Sequence, residues 1–187
     1  MPELIQSILG PDPACRSRQV GWFLTQLEDQ ARALRAATRD LTPAELEWQP
    51  APGVNSIGML LAHIAVAEVH LVQVGVMGQA ENDVRPVLGI GAADDGIPLA
   101  PGAAPPEVLR GRDLEFYDGL LARARAHTRP VLAGLEDADL DRRVERPRPD
   151  GSRRRFNVGW LLSHLADHQS THLGQITLLQ RMARSGR

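Results

Sequence analysis

Residues 56–78, SIGMLLAHIAVAEVHLVQVGVMG, contain no basic residue other than histidine. A stretch this long and apolar has two solutions: it crosses a bilayer, or it forms the central helix of a protein core. The segment carries His63, Glu68, His70 and Gln73, and lipid offers such groups no hydrogen-bond partner. No basic flanks anchor it at a membrane interface. We therefore read residues 56–79 as a buried helix, capped by Asn55 or Ser56, and expect no membrane partner.

Three further helical patterns supply what that helix would pack against. Val20, Phe23, Leu24, Leu27, Ala31 and Leu34 recur at three and four, which predicts an amphipathic helix over 16–40. Leu114, Tyr117, Leu121, Ala124, Thr128, Val131 and Leu135 do the same over 106–135, with Pro130 as a potential kink. A last helix is expected over 158–183, capped by Asn157. Between the first two, Thr42 and Glu45 form a capping box with Pro43 at the first helical position, so a short helix starts there and stops before Pro50. Residues 80–104, rich in Gly, Ala, Pro and Asp, predict a long irregular connection of the functional or mobile kind. Pro149-Asp150-Gly151 is a turn signal inside an arginine-rich stretch, which points to a short β-hairpin. The expected fold is all-α: a four-helix bundle with a long connection between helices 2 and 3 and a short hairpin before helix 4. The length of 187 residues suits one domain, 1–187.

Composition removes several chemistries. Every basic residue is arginine, so a Schiff-base or P-loop lysine is excluded. A net charge of −2 argues against nucleic acid as a partner. Cys15 is the only cysteine, which excludes an internal disulfide and a thiolate cage. That usage, and an N-terminal MPELIQSILGPDPAC without the pattern of a signal peptide, lead us to expect a cytoplasmic protein.

The histidines carry the chemistry. His164, His168 and His172 are spaced by four in GWLLSHLADHQSTHLGQI, so they rise along one helical face. His168 and His172 can present two imidazoles to one cation, with His63 from mid-helix as a third. His164 could replace His172 as the partner of His168, and His70 lies two turns beyond His63. His127 sits in an arginine-rich segment and reads as a surface residue. SIGMLLAHIA (56–65) and NVGWLLSHLA (157–166) echo each other, but the echo superposes His63 on His164 and so does not choose the pair. Gln169 stands where a zinc protease would carry its glutamate base. No histidine has a glutamate three residues before it, as di-iron carboxylate bundles require. Three neutral imidazoles leave a +2 charge uncompensated, which favours an anionic further ligand such as hydroxide, thiolate or enolate.

At these residues the sequence resembles the DinB/YfiT-like superfamily of metal-dependent enzymes. The likeness is strongest in WQPAPGVNSIGMLLAHIAVAE (48–68) and HLADHQSTHLGQITLLQRM (164–182). The family pattern is a helix-two histidine and a closing H-x-x-x-H followed by Arg-Gly-Gln; here Leu173-Gly174-Gln175 follows His172. The resemblance implies His63, His168 and His172 as ligands of a divalent metal, with zinc expected and nickel, iron or manganese as alternatives. It also implies a four-helix bundle, a homodimer, and thiol-dependent transferase chemistry with a low-molecular-weight thiol as a small-molecule partner. The alternatives are a non-catalytic metal- or ligand-binding bundle and a metal-dependent hydrolase. A thiol cosubstrate usually carries carboxylates, and Arg153, Arg154 or Arg155 is the candidate to receive one. Asp167 or Gln175 could hold a ligand imidazole in its tautomer, and Trp160 reads as core packing or as a wall of the pocket.

Overall fold

The computed structural model describes residues 8–80, 83–147 and 150–185 and is mostly helical. Helix α1, Arg18–Thr38, starts where the Ser17 hydroxyl accepts the Val20 amide at 3.0 Å. Its stripe of Val20, Leu24, Leu27, Ala31 and Leu34 is buried. The capping box forms as read: the Thr42 amide donates to Glu45 Oε2 at 2.9 Å, and the Glu45 amide donates to Thr42 Oγ1 at 3.3 Å. Helix α2, Pro43–Glu47, follows it. Arg184 donates to Glu45 Oε1 at 2.9 Å and ties α2 to the end of the last helix. The Thr42 amide, then Arg184, hold the Glu45 carboxyl down at about 2.

Helix α3, Ile57–Leu71, is capped by Ser56 rather than Asn55. It runs on through a widened turn, Val72–Val76, in which the Met77 amide reaches back five residues to the Val72 carbonyl. Gly75 sits in that turn against the last helix, where a Cβ would lie 2.0 Å from Leu161 Cδ1. In the membrane-length segment Ile57–Val76, 78% of an 18-residue window is buried inside the protein, as in the core helix of a folded domain.

The connection expected to be irregular contains structure. A single turn, α4, spans Arg85–Leu88, and a tighter turn covers Ala92–Asp95. The third long helix begins later than its periodicity suggests. Residues Glu107–Leu109 form a separate tight turn, and α5 runs Leu114–Ala133 from its Asp113 cap. Its buried stripe is Tyr117, Leu120, Ala124, Thr128 and Leu132, so Leu121 and Val131 lie beside the stripe rather than in it.

The hairpin is present: β1, Arg143–Pro147, pairs antiparallel with β2, Arg153–Asn157. Pro149 of the expected turn lies outside the described residues, as do the first seven residues of the N-terminal reading. Asp150 accepts the Ser152 amide at 2.9 Å, and Gly151 takes the left-handed conformation (φ +81°) that a turn needs. Helix α6, Val158–Ser185, follows at once, with Asn157 Oδ1 accepting the Trp160 amide at 2.8 Å. The long helices pack α3 against α5 and α6, and α1 against α5 and α6. This arrangement sets the middle of α3 beside the middle of α6.

Candidate metal centre

His63 projects from α3, and His168 and His172 from successive turns of α6. Their ring nitrogens converge: Nε2 of His168 lies 3.1 Å from Nε2 of His63 and 3.0 Å from Nε2 of His172. All three ligand atoms fall within 4.8 Å of one another.

The far side of each outer ring decides what those nitrogens can do. Asp95 Oδ2 lies 2.8 Å from His63 Nδ1, and Gln175 Oε1 lies 2.7 Å from His172 Nδ1. Both oxygens are acceptors, so in the neutral rings the hydrogen sits on Nδ1 and each Nε2 is a bare lone pair. His168 has one N–H to give and can satisfy only one of its two neighbours. A single cation among the three nitrogens satisfies all of them. Tetrahedral zinc with Zn–N near 2.0–2.1 Å sets ligand nitrogens about 3.3 Å apart, close to the separations here. The donor set and spacing therefore fit a divalent metal.

Burial keeps the His168 and His172 imidazoles neutral. It is the largest cause pushing His168 down to about 3, with the charges of His172, His63 and His164 adding to it. His172 is lowered by burial too, against its bond to Gln175. A histidine depressed in the folded state takes up its proton in the unfolded chain first. Its contribution to stability is full above the ordinary value near 6.5 and is lost as pH falls toward 3. Metal-free protein should thus show a lower urea midpoint at pH 5 than at pH 7.5, and the difference should shrink in His168→Ala. An unchanged midpoint across that window would contradict the buried neutral rings.

Asp95 is the residue that sequence reasoning missed. It lies in the tight turn of the long connection, 4% exposed, and its other oxygen accepts the Ile97 amide at 3.0 Å. Only its carboxylate character and its place in a Gly/Asp-rich loop were visible in the chain. Supporting carboxylates of this kind typically contribute 10–100-fold to metal affinity. Asp95→Asn keeps the shape and removes the charge, so affinity measured against a chromophoric chelator should fall by about tenfold or more. Equal affinity would mean that His63 needs no carboxylate behind it.

The other candidates fall away from the cluster. His164 stacks on Trp160 instead, with ring centroids 4.7 Å apart and planes 17° apart. His70, two turns up α3, is half-buried outside the three-nitrogen group. His127 is half-buried with a buried Nε2, and not the surface residue its arginine-rich neighbours suggested. Asp167 is exposed, whereas Gln175 takes the supporting role. Trp160 is 38% exposed and so is not core packing. Gln169 is buried on another side of α6. Cys15 lies just before α1, where burial, with Asp12 beside it, pushes its thiol up.

Helix α3 and the histidine-bearing part of α6 lie within residues 26–176, which match the family model of the DinB superfamily. No curated protein matches the chain. The match spans most of the chain and takes in all three converging histidines and their Asp95 and Gln175 supports. The chain belongs to the DinB superfamily.

Proposed function

We propose that this chain is a metal-dependent enzyme that transfers a low-molecular-weight thiol to a small electrophile. In this reading His63, His168 and His172 hold zinc in a four-helix bundle, acting in the cytoplasm as a homodimer. The observation that carries it is the convergence of three imidazoles with no carboxylate among them. A metal bound there would retain its full positive charge and lower the pKa of a coordinated thiol toward neutrality. In the transfer, a sulfur–carbon bond forms as the bond from carbon to its leaving group breaks, and the thiol proton passes to water.

The protein's own part is positional. Asp95 and Gln175 keep hydrogens off the nitrogens that face the site. The buried flank of His168 keeps its ring unprotonated. Gln169, turned away, removes the one position from which a protease-like base would act.

Metal-loaded protein incubated with a panel of bacterial thiols and an electrophilic aryl halide should consume thiol faster than metal-free protein, and His168→Ala should abolish the difference. Turnover that needs no thiol would replace this reading with hydrolysis. A ligand-induced rise in melting temperature without turnover would replace it with a binding protein.

A further inference from the structure

The register of the hairpin sets Arg146 directly opposite Arg154. Alternation along β2 sends Arg153 and Arg155 to the other face, where both pair with Glu145. Like charges directly opposite each other in a ladder are destabilising. Among the described residues, neither Arg146 nor Arg154 has a carboxylate partner. The paired strands thus place their one acid, Glu145, on one face and, among the described residues, two uncompensated guanidinium groups on the other.

That second face adjoins a row of rings on α6. Arg154 Cζ lies 4.4 Å from the centroid of Trp160. Trp160 stacks on His164, and the His164 ring centroid lies 5.9 Å from that of His168. Spacing by four keeps the row on one stripe of the helix, and the stripe ends at the three-histidine cluster. Stacking engages the face of a guanidinium and leaves its in-plane N–H donors for a planar acceptor. An exposed tryptophan that holds an unpaired arginine in place is what a bidentate anion site requires.

We infer that Arg154 and Arg146, with Trp160 as the support of Arg154, form a carboxylate-binding subsite for the substrate of the histidine cluster. The link to that cluster rests on the metal-centred reading above; the carboxylate site itself does not. Trp160 and His168 are eight residues apart on α6, about 12 Å of helical rise. The substrate is therefore elongated, with a carboxylate at one end and its reacting atom about a nanometre away.

Benzoate is a suitable probe and benzamide its uncharged control. In metal-free protein, the NMR signals of the Trp160 indole N–H and the Arg154 Nε–H should shift saturably with benzoate and about tenfold more weakly with benzamide. Arg154→Gln should weaken benzoate binding about tenfold, while Arg153→Gln leaves it unchanged and neither alters metal content. Equal binding of benzamide, an equal loss in Arg153→Gln, or no saturable shift at about 50 mM benzoate would overturn the subsite. Benzoate binding as described in a protein that takes up no metal would keep the subsite and remove the metal reading. Metal uptake without benzoate binding would do the opposite.

Discussion

Replacing His168 with alanine is expected to strip the chain of metal while leaving its helices in place. His168 is the middle ring of the three, and its Nε2 is within 3.1 Å of both neighbours. Without it, His63 and His172 approach from different helices with a gap between them. Two imidazoles complete no tetrahedral set, and the loss should exceed the 10–100-fold typical of a supporting hydrogen bond. Metal content by elemental analysis should fall from about one per chain to under about one tenth of that. The fold should survive because the ring is only half-buried and the core of α6 is Leu161, Leu162, Leu165, Ile176 and Leu179. His164→Ala is the matched control and should keep its metal, since that ring stacks on Trp160 instead. Metal lost from His164→Ala and kept by His172→Ala would make His164 and His168 the pair.

The largest loss of stability is expected from Glu68→Ala. Glu68 is 4% exposed on α3, and Arg125 of α5 grips it with two bonds of 2.9 and 3.1 Å. Arg125 also lies 3.2 Å from Glu28 of α1, so one guanidinium links three of the long helices. Burial pulls the Arg125 pKa down, but Glu68 and Glu28 outweigh it, and the group stays charged. Removing Glu68 leaves that charge buried with half its compensation, at a cost of about 3–5 kcal/mol. For a chain of this size that is a fall in melting temperature of about 6–20 °C. Arg125→Met combined with Glu68→Leu should recover most of it, because well-packed apolar groups replace a buried pair at little cost. A drop of under about 2 °C in the single variant would mean that water already screens the pair.

Much of this architecture was legible in the chain because it is written in local interactions. The Thr42–Glu45 box, the Ser56 and Asn157 caps and the hairpin turn each depend on residues within three or four positions of one another. His168 and His172 belong to the same class, since one turn of helix brings them together wherever the helix goes. The echo between residues 56–65 and 157–166 was local too, and it superposed His63 on His164 without choosing the pair. It recorded two helices with matching starts, and said nothing about which turns of them would meet.

What the amino-acid order determined by itself was the long helices, some of their caps and the pair of imidazoles on α6, because backbone periodicity and near-neighbour hydrogen bonds need no knowledge of the rest of the fold. The tertiary structure alone decided that Asp95 backs His63 from 32 residues away and that Arg154 rather than its neighbours meets Trp160. Those outcomes depend on how far one helix slides past another and on which face of a short hairpin turns inward. Packing of the core sets both, and no run of neighbouring residues encodes them.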